Sequence, residues 1–168
     1  MSHNIVGCIF MSNRIYVITG ANGHLGGTIV RMLRRGEDEV RGFVLTGSRV
    51  QDRDNVTYYQ GDVRNKETLR PLFEHTDGRE IVVIHAAGMI DISEKVSPRV
   101  YDVNVQGTKN VVSLCEEYRV KRLVYVSSVH AIPEGEKGCV LEETYDFSPD
   151  KVHGGYAKTK AEATAAVL

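Results

Sequence analysis

The sequence predicts an α/β fold, a doubly wound parallel sheet with helices on both faces, in three layers. Three observations predict it. Strand-like and helix-like stretches alternate along the chain, the pattern of right-handed crossovers between parallel strands. The strands are close to unbroken apolar runs, as strands covered on both faces are. In "YVITGANGHLGGTIVRML" (16–33) a run of β-formers breaks into glycines that lead straight into a helix.

The elements follow in order. "RIYVIT" (14–19) reads as a buried strand and "HLGGTIVRMLRR" (24–35) as a helix. "EVRGFVL" (39–45) is a second strand and "VTYYQ" (56–60) a third. "NKETLRPLFEH" (65–75) is a short helix with Asn65 as its cap, disturbed by Pro71. "IVVIHA" (81–86) is a fourth strand. A long helix is predicted from Pro98 to Tyr118, with Ser97 at its cap and proline at the first helical position. Val100, Asn104, Gly107, Val111, Cys115 and Tyr118 recur on one face of it. "RLVYVSS" (122–128) is a fifth strand. A loop carrying Pro133, Gly135, Gly138 and Pro149 follows, and "GYAKTKAEATAAVL" closes the chain as a helix. The architecture is Rossmann-like, over residues 13–168, with residues 1–12 as an N-terminal extension.

Composition narrows the function classes. A formal net charge of -1 provides no field for nucleic acid or an anionic membrane. "MSHNIVGCIF" is too short to span a bilayer and lacks the basic lead of a signal peptide. Cys8, Cys115 and Cys139 are odd in number and form no CxxC pair. They read as free thiols of a reducing compartment, the cytoplasm, and as neither disulfide nor metal site.

The glycines carry the first chemistry. A strand that turns directly into a helix leaves the helix's first N–H groups and its positive end facing outward. A pyrophosphate answers both, provided no side chain keeps it away. Gly20 makes the tight turn, Gly23 the close approach and Gly26 the close helix–strand contact, spaced G-x-x-G-x-x-G. A structural turn is the alternative. At the end of the second strand, Leu45-Thr46-Gly47-Ser48-Arg49 contains no carboxylate for an adenosine 2′-hydroxyl. Thr46, Ser48 and Arg49 favour a 2′-phosphate and hence NADP over NAD, although Arg49 also reads as a solvated loop residue. Asp62 either caps a turn or accepts from the adenine amino group. "HAAG" (85–88) ends the fourth strand with small residues. His85 reads as a core histidine, with catalysis as the alternative.

The second chemistry lies near the C-terminus. Tyr156 and Lys160 stand at i and i+4, on one helix face. A free tyrosine, with a pKa of about 10, is a poor base at neutral pH. A nearby ammonium favours the phenolate and suits it to proton exchange. Ser127 or Ser128 supplies a hydroxyl at the end of the fifth strand.

With these pieces in order, the chain resembles an extended short-chain dehydrogenase/reductase of the NAD-dependent epimerase/dehydratase superfamily. "TGANGHLG" (19–26), "GDV" (61–63), "HAAG" (85–88), "NVQGT" (104–108), "YVSS" (125–128) and "YAKTK" (156–160) carry the resemblance. "VVIHAAGMIDIS" (82–93) and "VNVQGTKNVV" (103–112) are most similar to the 3β-hydroxysteroid dehydrogenase and dihydroflavonol reductase branch. The resemblance implies Tyr156 as acid/base, Lys160 as its partner and ribose ligand, and Ser128 as the carbonyl-orienting hydroxyl. It implies that Asn104 supports a relay water near the lysine. It implies that Gly20, Asn22, Gly23, His24, Leu25 and Gly26 hold the pyrophosphate, that Asp62 and Val63 flank adenine, and that Ala86, Ala87 and Gly88 line the cofactor cleft.

Extended members continue past the Tyr–Lys helix into further strands and a substrate-binding region. This chain stops eight residues after Lys160. The expectation is therefore the cofactor-binding part of an NAD(P)-dependent oxidoreductase acting on a small-molecule carbonyl or alcohol, with its substrate wall and last strands missing. A homodimer paired through the long helix and the Tyr–Lys helix is the expected assembly. A nucleotide-sugar epimerase or dehydratase, and a dinucleotide-binding protein without catalysis, are the alternatives.

Overall fold

The computed structural model describes residues 14–135, 138 and 140–168. The predicted extension 1–12 and two of the cysteines, Cys8 and Cys139, lie outside them.

Five parallel strands form one sheet in the order β3-β2-β1-β4-β5. They are β1 (Arg14–Thr19), β2 (Glu39–Leu45), β3 (Val56–Gly61), β4 (Glu80–His85) and β5 (Arg122–Tyr125). Order reverses between β1 and β4, and that switch point opens a crevice beyond the strands' carboxyl ends. The pleat divides each strand between two cores. Ile15 and Val17 pack with Phe43, Val83, Val111 and Leu114 on one face. Ile18 packs with Val30, Val40, Val44 and Val56 on the other. Helix α1 (His24–Leu33) covers the second face and α4 (Gly107–Glu117) the first. The largely apolar strands follow from this two-sided cover.

One charge is buried within the sheet. Arg41 on β2 is 3% exposed. Its guanidinium donates to the Glu39 carboxylate at 2.6 Å and to the carbonyls of Leu72, Glu74 and His75. Burial raises the Glu39 pKa, but hydrogen bonds from Arg41 and Arg79 outweigh it and hold the carboxyl below its usual range.

The structure alters three predicted elements. The 65–75 helix is a single turn, α2 (Lys66–Leu69), capped by the Asn65 side chain on the Glu67 N–H. It tightens to a 3-10 turn at Arg70–Leu72 because Pro71 has no N–H to continue the α pattern. The helix predicted from 98 to 118 is α3 (Pro98–Tyr101), a π-helical turn at Asp102–Gln106 and α4. The widened turn puts the consecutive residues Asn104 and Val105 both inside. Ser97 precedes α3 without a side-chain capping bond.

The fifth strand ends at Tyr125 instead of Ser128. The Val126 N–H still reaches the His85 carbonyl, but the Val126 carbonyl accepts from the Lys160 ammonium and leaves the ladder. The last helix, α5 (Gly155–Val167), packs Ala157 and Ala161 against Ala131 and Val152.

Candidate active site

The glycine turn is built as its spacing predicts. Gly20 has φ +66°, a left-handed conformation that favours glycine, and a Cβ there would lie 2.9 Å from the Ala87 backbone. A Cβ on Gly26 would run into the Gly20 carbonyl oxygen, so α1 sits directly on the turn. Gly23 precedes α1 as its cap, with no side chain on the first N–H groups and no acidic residue in the first turn. The positive end of α1 is therefore open to an anion, and the residues present fit a pyrophosphate. The Asn22 amide donates to the Ser48 hydroxyl at 3.1 Å, tying the turn to the end of β2.

A cleft of about 340 Å³ opens beside the turn, at the switch point. Of the predicted cofactor residues, it brings together Gly20, Asn22, Gly23, Asp62, Val63, Ala86, Ala87 and Gly88. His24 and Leu25 lie outside that lining, exposed on the first turn of α1. Gly26 is buried behind the turn. Sequence reading missed Arg64, Met89, Arg99 and Val103 on the wall. Arg64 and Arg99 stand in none of the quoted motifs, and Met89 and Val103 stand in the quoted stretches 82–93 and 103–112 without a cofactor role having been read for them.

Asp62 caps a local turn and stands on the wall of the cleft. Its Oδ1 accepts the Arg64 N–H at 2.9 Å. The hydrogen bond from the Arg64 guanidinium, at 2.7 Å from Oδ2, holds its carboxyl below the usual carboxylate range.

The Tyr156–Lys160 end is separate from that cleft. Lys160 is buried, and burial pushes its ammonium down to about 8. It donates to the Tyr125 hydroxyl and the Val126 carbonyl, both at 2.7 Å, and lies 4.3 Å from the Tyr125 ring centre. Tyr156 is half-buried and meets the edge of the His130 ring at 6.3 Å between centres. The two serines part company here. Ser127 is joined to Thr164 on α5 at 2.6 Å. Ser128 turns the other way, its hydroxyl accepting only a long 3.3 Å bond from the His130 N–H.

Asn104 is a strut. Its amide donates to the Met89 carbonyl at 2.9 Å and the Thr159 hydroxyl at 3.1 Å, and its carbonyl accepts from the Met89 N–H. Its main-chain carbonyl accepts from the Thr108 hydroxyl at 2.6 Å. His85 is 1% exposed between Thr19 and Thr108, and burial, with the nearby Lys160 charge, pushes it down to about 3.

Residues 17–168 match the model of the 3-beta hydroxysteroid dehydrogenase/isomerase family. The chain is 35% identical over 165 residues to the mouse 3 beta-hydroxysteroid dehydrogenase type 7, covering 92% of this chain and 44% of the mouse protein. It is 30% identical to sterol demethylase protein B of Methylococcus capsulatus, over 86% of this chain and 43% of that one. Among solved structures, the Thermus thermophilus UDP-glucose 4-epimerase complex with NAD superimposes with a TM-score of 0.72 at 28% identity. The match covers 89% of this chain and 48% of the epimerase. The chain thus spans about half the length of the relatives it matches.

Proposed function

The chain belongs to the 3-beta hydroxysteroid dehydrogenase/isomerase family. From that premise we propose that it forms the cofactor-binding part of an NAD(P)-dependent oxidoreductase that interconverts a carbonyl and an alcohol. The relatives' names point to a 3β-hydroxysteroid as the alcohol. The observation that carries the reading is the placement of Lys160, whose ammonium is held at the carboxyl end of β5, one helical turn from Tyr156. A bound dinucleotide would accept the hydride from the alcohol carbon, or return it to the carbonyl carbon, at its nicotinamide ring. Tyr156 exchanges the proton at the substrate oxygen, and the Lys160 charge favours its phenolate. Lys160 has spent two of its three N–H donors on Tyr125 and Val126, so the third serves a ribose hydroxyl. Ser128 donates to the carbonyl oxygen, a task for which Ser127 is already committed to Thr164. Asn104 holds the 89 loop and α5 at a fixed separation, and in that way supports the lysine's surroundings.

NADP is the preferred dinucleotide in this reading. The end of β2 carries no carboxylate, and Arg31, Arg34, Arg49 and Arg53 surround a neighbouring hollow. A buried free thiol, Cys115, agrees with a cytoplasmic setting. A homodimer through α4 and α5 completes the proposal. Among the described residues no helix is long and apolar enough to cross a membrane.

Titration with NADH and NADPH, followed by nucleotide fluorescence, tests the reading. Both bind, NADPH more tightly; binding of neither refutes it. In a chain that includes the substrate region, Tyr156→Phe lowers turnover by about 10²–10⁴-fold and leaves dinucleotide affinity in place. The likeness to the Thermus epimerase favours a second reading, transient oxidation of a nucleotide sugar. Dinucleotide that survives purification, with no net consumption of NAD(P)H during turnover, selects it.

A further inference from the structure

Behind Lys160 lies a row of buried polar groups that the reading above does not use. The Ala87 N–H donates to the Thr19 hydroxyl oxygen at 3.1 Å, and Thr19 is 2.5 Å from His85 Nδ1. His85 Nε2 is 3.0 Å from the Thr108 hydroxyl, which donates to the Asn104 carbonyl. The Thr108 proton goes to that carbonyl, so the Thr108 oxygen accepts from His85 Nε2–H, and with the imidazole kept neutral by burial Nδ1 is left to accept from the Thr19 hydroxyl. The Tyr125 hydroxyl oxygen accepts from the Lys160 ammonium, 2.7 Å from Nζ. The Tyr125 ring stacks on His85, with centres 5.6 Å apart, which fixes the plane of the phenol.

We propose that Tyr125 is a positioning residue: its ring, stacked on a His85 that Thr19 and Thr108 hold in place, presents the phenol oxygen that keeps the Lys160 ammonium in position and leaves one N–H free for the reaction. The inference rests on the reading of Lys160 as the partner of Tyr156. The groups facing Lys160 are Tyr125 from β5, His85 from β4 and Tyr156 from its own helix, while α4 presents the hydroxyl of Thr108. Neither Tyr125 nor His85 is charged at neutral pH in this arrangement. Burial holds the Tyr125 phenol up at about 12 and His85 down at about 3. The ammonium therefore relies on the oxygens of Tyr125 and Val126 to stay protonated inside the protein.

The test is direct titration of the lysine by NMR, on the whole chain labelled at lysine Cε and Nζ, with Lys160→Arg identifying the resonance. In the unsubstituted chain Lys160 titrates near pH 8. Tyr125→Phe keeps the ring and removes one acceptor from a charged donor, so proton affinity falls by about tenfold and the midpoint moves to lower pH. Thr108→Val moves it the same way and Thr108→Ser restores it. A purely structural role lowers the melting temperature but leaves the midpoint alone. A midpoint in Tyr125→Phe equal to or above that of the parent overturns the proposal. If Tyr125→Phe fails to fold, the Thr108 pair decides, and equal midpoints in Val and Ser overturn it. NADH titration of the parent chain, run in parallel, separates this outcome from failure of the oxidoreductase reading, which appears as absent binding.

Discussion

At the glycine turn, the groups that shape the site lie within seven consecutive residues, Gly20 to Gly26, and their nearest obstacles are largely one another's backbone. At the Tyr156–Lys160 end, the lysine's first partner stands 35 residues away, on the strand that closes the sheet. The phenol it touches stacks on His85 of β4, which Thr19 of β1 and Thr108 of α4 hold in turn. The two ends of one site thus answer to different forces. The turn is shaped mainly by the strand and helix that flank it, with the Ala87 backbone closing over Gly20. The lysine needs the register of β5 against β4, a ladder that runs only from Val82–Arg122 to His85–Tyr125. Disturbance of the β5 edge will therefore reach the Tyr156–Lys160 end before it reaches the glycine turn.

The largest effect expected from this contrast is at Gly26. Gly26→Ala forces a Cβ against the Gly20 carbonyl and pushes α1 off the turn. Dinucleotide binding is lost, and stability falls by roughly 1–3 kcal/mol, the usual cost of overpacking. Fluorescence titration and urea melts measure the two. Retained binding would mean that the turn is looser than its packing indicates.

The second effect belongs to the other end. His85 is depressed to about 3 in the folded chain, against an ordinary 6.5. Between those values the unfolded chain binds the extra proton and the folded chain does not, so stability rises with pH. The contribution is fully present above about pH 6.5 and is lost as pH falls toward 3, at up to about 1.4 kcal/mol per pH unit. Urea melts across this range, in the parent and in His85→Gln, isolate it. An identical slope in both chains would sink the assignment of a neutral buried imidazole.

The smallest effect is at the cleft's exposed pair. Asp62→Asn removes the ion pair with Arg64, and because both groups are partly solvated the stability change is about 0–1 kcal/mol. A larger loss in urea melts would show that the pair carries part of the fold, and would blur the contrast between a self-contained turn and a dependent lysine.

Much of this was legible in the chain itself, for reasons that differ by residue. Gly20 and Gly26 could be read because their constraints are local, a positive φ and a close approach to the same short turn. Tyr156 and Lys160 could be read because helical periodicity alone puts i and i+4 on one face. Tyr125 could not. It lies in "YVSS", a segment whose serines attract the chemistry, and nothing in its neighbours says that its phenol will meet an ammonium. Arg99 and Val103 were hidden for the same reason, since a π-helical turn and the path of the 98–106 segment bring them to the cleft. The early end of β5 was hidden too, because it follows from a carbonyl accepting a lysine 34 residues on.

The sequence by itself determined the alternation of strands and helices, the glycine turn into α1 and the spacing of the phenol and ammonium. These depend on backbone freedom and side-chain period, which are set over a few residues. Tertiary structure alone decided which phenol touches Lys160, which serine stays free and where the cleft finds its wall. Those outcomes depend on which strands pair and in what register, and a side chain's partner across a sheet is settled only when the whole sheet is assembled.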